Sequence, residues 1–296
     1  MTDPEDPNPL VSLFRQCVAR ISDGEGRFRG TGFFAAPGQL VTCAHVAHGA
    51  QELRVQWQDR NARAAGVVAV PPLDSVTNPA AYPLPDLAVM SVEDAQGWDH
   101  PCVGLAAGRP VLDGSPAGLY LAGYTVEHAK ATALTGATAE FESLIREDGQ
   151  EFLKLKRGRV LPGLSGSPLL DLRAGAVTGI VESSRGQQAD LGGFAVPAST
   201  LAAVFPDLAA ENRRFHDRDP RWAQAAEAER TRAADRDGQR ARLPLRAPVI
   251  PLKPDAETSP ATVLRPRHAF VGYVGRERLL ADIAGWCEQG GETVGL

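Results

Sequence analysis

In two segments of the sequence, a residue capable of acid–base chemistry lies at one end of an apolar stretch. Residues 40–46 (LVTCAHV) run into His45, and the imidazole of histidine, with an unperturbed pKa of about 6.5, suits general-base work at neutral pH. Residues 85–90 (PDLAVM) begin a second apolar stretch with Asp86. A carboxylate beside an imidazole can accept its Nδ1–H and fix the tautomer. Taken singly, a structural or surface histidine and an aspartate at a turn are the simpler interpretations.

A third segment, residues 161–170 (LPGLSGSPLL), places Ser165 in a glycine-bearing turn just before an apolar stretch. Gly163 and Gly166 permit backbone conformations that a Cβ would obstruct. Such a turn can direct the N–H groups of Gly163 and Ser165 at one point, which is the arrangement of an oxyanion hole. An ordinary Gly/Ser/Pro turn explains this segment as well when it is considered alone.

Taken together, the TCAHV, DLAVM and GLSGSP segments resemble the signature segments of the trypsin-like, or chymotrypsin-fold, serine peptidases. The chain order His, Asp, Ser is that of this family and differs from the orders in subtilisins and α/β-hydrolases. Residues 29–46 resemble the family's first barrel, and residues 178–184 and 192–197 resemble the strands that line its substrate cleft. The resemblance covers roughly residues 12–208.

The resemblance implies a fold of two six-stranded antiparallel β-barrels and a mechanism that uses a catalytic triad. In that mechanism Ser165 Oγ attacks the scissile carbonyl. His45 takes the proton and returns it to the leaving amine, while Asp86 orients the imidazole. The N–H groups of Gly163 and Ser165 hold the oxyanion.

Some residues depart from the pattern of digestive trypsins. Leu164 stands where those enzymes have an aspartate that pairs with a freshly cut N-terminus, and Ser167 replaces their second glycine. The disulfide that flanks the active-site histidine in secreted members has no evident counterpart. Arg159 occupies a position near the base of the family's specificity pocket, where it would favour an acidic side chain, although a solvated basic surface is the simpler interpretation.

The composition is that of an ordinary globular protein, with 43% hydrophobic and 23% charged residues. Many short strand-like segments lie between residues 15 and 200, separated by turn residues, and they predict an all-β sandwich or barrel. A net charge of −5 gives no support for nucleic-acid binding. No apolar run reaches the ~18 residues needed to span a membrane, and the acidic, proline-rich residues 1–10 do not resemble a secretory signal, so we expect a cytoplasmic location.

The four cysteines are far apart and show no CxxC spacing, so the sequence predicts neither a metal site nor any other cofactor. In a reducing compartment they are expected to be buried thiols. Cys43 lies two residues before His45, and a small core residue is a simpler interpretation of it than a reactive thiol.

After the predicted protease domain (residues 12–208), residues 209–266 are predicted to form a charged and proline-rich linker. Residues 211–242 are dense in charge and alanine, which suits a solvated helix or a flexible arm, and residues 243–266 contain six prolines. Residues 267–296 include FVGYVGRER, which resembles the opening of STAND/AAA+ NTPases, and we interpret them as the truncated start of such a domain. A terminal amphipathic helix is the alternative.

These features predict an intracellular serine endopeptidase that works through an acyl-enzyme on a protein or peptide substrate. We expect it to be the effector domain of a larger sensor or NTPase protein, because bacterial proteins of this layout resemble defence systems. The alternative is a protease-fold module that binds peptides without cutting them. A complete set of three catalytic residues argues against that alternative, since binding alone does not need them.

Overall fold

The computed structural model describes residues 8–71, 85–108, 118–127, 131–147, 149–156, 161–184 and 192–242. The strands within these ranges form two closed barrels of six antiparallel strands each. The prediction of a two-barrel, chymotrypsin-like fold is therefore confirmed. Closure pairs the outer strands of each sheet with one another, so that neither barrel has an open edge.

The first barrel lies between residues 18 and 92. Its strands are β1 (Val18–Asp23), β2 (Phe28–Ala36), β3 (Gln39–Thr42), β4 (Leu53–Gln56), β5 (Arg63–Ala69) and β6 (Ala88–Val92). They close in the order β1-β2-β3-β6-β5-β4. Strand β2 is buried continuously over its last seven residues because it contacts both its own barrel and the second one.

The second barrel lies between residues 118 and 197. Its strands are β7 (Gly118–Glu127), β8 (Ala131–Glu147), β9 (Gln150–Lys156), β10 (Pro168–Asp171), β11 (Ala176–Ser184) and β12 (Gly193–Pro197). They close in the order β10-β11-β12-β9-β8-β7. Leucines on three of these strands fill the interior, and each of them is almost completely buried: Leu119, Leu121, Leu153, Leu155, Leu169.

An aromatic cluster supports the β2–β3 hairpin of the first barrel. The ring of His100 stacks on Phe34 with 3.6 Å between centroids, and its Nε2 accepts a hydrogen bond from the N–H of Gly38 at 3.0 Å. Its Nδ1 lies 3.2 Å from the carbonyl oxygen of Pro101 and donates to it. Burial penalises the charged form of the ring and thereby lowers the pKa of His100.

Five α-helices accompany the barrels in the described residues. They are α1 (Pro9–Gln16), α2 (Ala44–Ala47), α3 (Ala198–Val204), α4 (Pro206–His216) and α5 (Arg221–Arg242), and a short 3₁₀ turn covers Ala95–Trp98. Helix α1 begins at Asn8, whose side chain accepts from the N–H groups of Leu10 and Val11. No helix in the described part of the chain is both long and apolar enough to cross a lipid bilayer.

Helices α4 and α5 pack against the barrels, although their sequence is assigned to the linker from residue 209 onward. The Asn212 amide donates to the carbonyl oxygens of Ala35 at 2.6 Å and Val103 at 2.7 Å. Trp222 Nε1 donates to the carbonyl oxygen of Gly175 at 2.9 Å. The compact unit accordingly extends to Ala234 instead of ending near residue 208. The proline-rich residues 243–266 and the NTPase-like residues 267–296 lie outside the described residues.

Candidate active site

Strand pairing in the first barrel brings His45 and Asp86 to the same place. His45 lies on α2, which is separated from the end of β3 by one residue, and Asp86 is two residues before the first residue of β6. Strands β3 and β6 are antiparallel neighbours with Thr42 opposite Ala88. The end of one strand and the start of the other therefore meet, and both side chains lie at this end of the barrel.

The Asp86 carboxylate makes one contact with the His45 ring and one with the His45 backbone. Its Oδ2 is 2.5 Å from His45 Nδ1, and its Oδ1 accepts the backbone N–H of His45 at 2.9 Å. The carboxylate is fully buried, whereas 31% of the His45 side chain is exposed. An ionised carboxylate can only accept, so Nδ1 carries the proton and Nε2 is left as the basic nitrogen. This arrangement produces the tautomer that a general base requires.

Cys43 lies beside this pair, and its Sγ, the His45 ring and the Asp86 carboxylate place ligand-type atoms within 4.8 Å of one another. Burial raises the pKa of the Cys43 thiol well above its usual range, and its Sγ donates to the carbonyl oxygen of Val181 at 3.3 Å. A protonated thiol is a poor metal ligand. The 2.5 Å separation between His45 Nδ1 and Asp86 Oδ2 fits a hydrogen bond, because two ligands of one zinc ion stand farther apart.

Two consecutive turns, residues 161–164 and 164–167, form the loop of Ser165, which is the second residue of the second turn. The N–H of Leu164 donates to the Leu161 carbonyl at 3.1 Å, and the N–H of Ser167 donates to the Leu164 carbonyl at 2.9 Å. The third residue of each turn has a positive φ, +96° at Gly163 and +85° at Gly166. Type II turns require this conformation there, and glycine adopts it without strain.

Strand β11 and strand β2 hold the Ser165 loop from opposite barrels. The Ser165 hydroxyl donates to the carbonyl oxygen of Glu182 at 3.0 Å. On the same strand, Val181 accepts from the N–H of Gly166 at 2.8 Å and donates to the Ser167 carbonyl at 2.9 Å. From the first barrel, the N–H of Thr31 donates to the Ser165 carbonyl at 3.0 Å. The loop is thus fixed across the boundary between the barrels.

The N–H groups of Gly163 and Ser165 are the candidate oxyanion donors. Among the described residues neither group donates to a protein acceptor, and both residues are partly exposed. Backbone donors that are left unpaired at an accessible turn can stabilise a developing oxyanion. Arg159, which the sequence analysis placed near the specificity pocket, lies outside the described residues.

The sequence analysis did not identify three residues in the hydrogen-bond network that holds the Ser165 loop: Thr31, Thr42 and Tyr124. Thr31 Oγ1 donates to the Gly163 carbonyl at 2.8 Å and accepts from the N–H of Tyr124 at the same distance. Thr42 Oγ1 donates to the Thr31 carbonyl at 2.7 Å. The only sequence signal is that Thr31 stands between two glycines in an apolar strand, which does not indicate contacts so distant along the chain.

The two closed barrels and the strand positions of the site define a chymotrypsin-fold serine peptidase. Residues 30–180, about half of the chain, match the model of the family described as "Trypsin-like peptidase domain". The chain belongs to this family of trypsin-like peptidase domains, and the prediction of a trypsin-like serine endopeptidase is confirmed. No curated protein matches the chain significantly.

Solved structures of bacterial proteases share the fold. The active form of the Rv3671c protease from M. tuberculosis is 24% identical, with a TM-score of 0.54, and the match covers 70% of this chain and 88% of that one. The inactive form of Rv3671c is also 24% identical, with a TM-score of 0.52 and coverage of 70% and 98%. A serine endoprotease from Yersinia pestis is 21% identical, with a TM-score of 0.52 and coverage of 71% and 69%.

Proposed function

We propose that the chain cleaves peptide bonds through a triad of Ser165, His45 and Asp86. The observation that carries this proposal is the pairing of His45 with a fully buried carboxylate that contacts both its ring and its backbone N–H. A buried aspartate without an imidazole partner would cost several kcal/mol in desolvation. Its position is therefore best explained by the need to orient and stabilise the His45 ring.

In the proposed reaction, Ser165 Oγ attacks the carbonyl carbon of the substrate and passes its proton to His45 Nε2. The carbonyl oxygen becomes an oxyanion and accepts hydrogen bonds from the N–H groups of Gly163 and Ser165. Collapse of this intermediate breaks the peptide bond, and the imidazolium gives its proton to the leaving amine. Water then attacks the acyl-enzyme with His45 again as the base, which restores the Ser165 hydroxyl.

The wider role of the protease domain is a further part of the proposal. We propose that it is the effector of a cytoplasmic sensor or NTPase protein, with a charged, proline-rich linker up to residue 266 and an NTPase-like segment from residue 267. The support is the FVGYVGRER motif and the proline density of residues 243–266. Because α4 and the first part of α5 are packed, we place the start of the linker near residue 235.

The catalytic proposal can be tested by comparing Ser165→Ala with Ser167→Ala. We expect Ser165→Ala to lose fluorophosphonate labelling and cleavage of an unfolded protein such as casein. Ser167 is the matched control, because it lies two residues away and its fully buried hydroxyl has no hydrogen-bond partner among the described residues. We expect Ser167→Ala to keep both signals. Binding of casein peptides without cleavage by the wild-type chain would instead support the peptide-binding alternative.

A further inference from the structure

Thr31 makes four hydrogen bonds, and two of them go to the Ser165 loop. Its N–H donates to the Ser165 carbonyl at 3.0 Å, and its Oγ1 donates to the Gly163 carbonyl at 2.8 Å. The Oγ1 also accepts from the N–H of Tyr124, and the Thr31 carbonyl accepts from Thr42 Oγ1. Thr31 is fully buried, so these contacts have no competition from water.

The direction of the hydroxyl proton is settled by this network. The Tyr124 N–H can only donate, so it occupies an acceptor site on Thr31 Oγ1. The single proton of the hydroxyl is then directed to the Gly163 carbonyl. Thr42 and Tyr124, from strands β3 and β7, thereby fix Thr31 from both barrels.

The two carbonyls that Thr31 holds belong to the two residues whose N–H groups form the proposed oxyanion hole. Gly163 has a φ of +96° and no Cβ, so its own backbone offers little resistance to rotation. A hydrogen bond to its carbonyl fixes the peptide plane that follows it, and the bond to Ser165 fixes a second plane in the same loop. Rotation of either residue would turn its N–H away from the oxyanion.

We propose that Thr31 is a positioning residue that holds the Gly163–Ser165 backbone in the conformation that stabilises the oxyanion. Thr31 acts through the loop and touches no reacting atom. This role rests on the proposed peptidase function. In it, a side chain of the first barrel controls the conformation of a loop in the second barrel. A displacement of the donors by about 1 Å can reduce a rate by about a hundredfold, so this control has a measurable effect.

The test compares Thr31→Val, which keeps the shape and removes the hydroxyl, with Thr31→Ser, which keeps the hydroxyl. We expect Thr31→Val to lower kcat about tenfold to a hundredfold with KM changed by less than about threefold, since the lost interaction belongs to the transition state. Affinity for a peptide aldehyde, whose adduct forms the oxyanion, should fall by a similar factor. Thr31→Ser should keep kcat within about threefold of the wild type.

The matched control is Thr125→Val, on the strand that also carries Tyr124. Thr125 is almost fully buried, and its hydroxyl lies 3.3 Å from that of Thr135 instead of contacting the Ser165 loop. A general loss of packing should lower the melting temperatures of Thr125→Val and Thr31→Val alike, whereas only Thr31→Val should lose kcat. Equal kcat values for these two variants would overturn the positioning role.

If circular dichroism shows that Thr31→Val does not fold, Thr42→Val takes its place. That variant removes only the hydrogen bond to the Thr31 carbonyl, and we expect kcat to fall about threefold to tenfold below that of Thr125→Val at unchanged KM. A kcat equal to that of Thr125→Val would overturn the role. Absence of Ser165-dependent cleavage by the wild-type chain would overturn the proposed function together with this role, whereas active wild-type and equally active variants would overturn the role alone.

Discussion

The two halves of the proposed site are held in place in different ways. His45 and Asp86 depend on one pair of neighbouring strands, because β3 ends and β6 begins where the two residues meet. Ser165 depends on contacts across the barrels, including the hydrogen bond from Thr31 to Gly163, which lie 132 residues apart. The acid–base half is therefore determined by a local strand register, whereas the nucleophile half is determined by how the two barrels fit together.

The largest effect should come from the acid–base half. Asp86→Asn keeps the size of the side chain but can present an N–H to the His45 ring, which favours the tautomer with its proton on Nε2. We expect kcat to fall about ten-thousandfold, as the same change does in enzymes with this triad. The measurement is the steady-state rate on a peptide substrate at neutral pH.

If the wrong tautomer of His45 causes the loss, part of the activity of Asp86→Asn should return at high pH. If Asp86→Asn instead retained more than about a tenth of the wild-type kcat, the contact of 2.5 Å would not control the tautomer. The acid–base half of the site would then not depend on the contact between His45 and Asp86.

A smaller effect is expected from Gly163→Ala in the nucleophile half. A Cβ at this residue would lie 2.5 Å from the ring of Phe28 and 2.7 Å from the carbonyl oxygen of Tyr124, so the turn must shift. We expect kcat to fall about a hundredfold, since removal of one oxyanion donor costs about that much. The measurement is kcat and KM on the same peptide substrate.

Gly149→Ala is the control for backbone strain. Gly149 also has a positive φ, +80°, but a Cβ there would meet nothing within 4 Å. Both variants should lose stability on the order of 1 kcal/mol from the left-handed backbone. Only Gly163→Ala should lose catalysis, and equal kcat values would show that the loop does not need this geometry.

Acid should weaken the first barrel through His100. Because the pKa of His100 is lowered in the folded protein, the unfolded chain binds a proton more readily below about pH 6.5. The free energy of unfolding should therefore be highest above that pH, decrease as the pH falls towards the folded pKa, and level off below it. Urea unfolding of the wild type and of His100→Asn between pH 8 and 5 measures the difference.

In this experiment the pH dependence of unfolding should be shallower for His100→Asn than for the wild type. The hydrogen bond to the Pro101 carbonyl and, to a smaller extent, the charge of Asp99 raise the pKa of His100 and so offset part of the decrease that burial causes. Equal slopes for the two proteins would mean that burial of His100 does not link the first barrel to pH.

Removal of the C-terminal segment should have the smallest effect on catalysis. Arg236, Arg240 and Arg242 in the charged last part of α5 and Arg246 in the proline-rich stretch after it offer trypsin sites, and we expect limited digestion to leave a resistant core that ends near residue 234. All residues of the proposed site precede residue 183, so the core should keep its kcat. First cuts between residues 30 and 184, with residues 235–266 left intact, would contradict this boundary.

The sequence indicated the strands and three catalytic candidates. It did not indicate the hydrogen bonds that connect the two barrels. His45, Asp86 and Ser165 each stand beside an apolar stretch in a pattern that local sequence can display. The hydrogen bonds of Thr31 arise only when two barrels dock, and no periodicity within one strand reports such contacts. Local sequence can therefore suggest candidates for the triad, whereas the contacts that position the Ser165 loop become visible only in the structure.

In the helical region after residue 205, the high charge content obscured a helical spacing of apolar residues in the sequence. The buried residues of α5 are Trp222, Ala225, Ala226 and Glu229, which follow the i, i+3, i+4, i+7 pattern of one helix face. This face lies within a stretch whose remaining residues are mostly charged, so average composition indicated a solvated segment. A helical pattern with one aromatic residue and two alanines was enough to make it part of the packed unit.

The division of the site between two barrels also affects when activity can appear during synthesis. Domains fold from the N-terminus as the chain leaves the ribosome, and the His45–Asp86 pair is complete once residue 92 has folded into the first barrel. Ser165 emerges later, and among the described residues three of the five hydrogen bonds that hold its loop come from β11, which ends at Ser184. On the proposed mechanism, a nascent chain therefore cannot hydrolyse its neighbours, and proteolytic capacity arises only after nearly all of the catalytic unit has been translated.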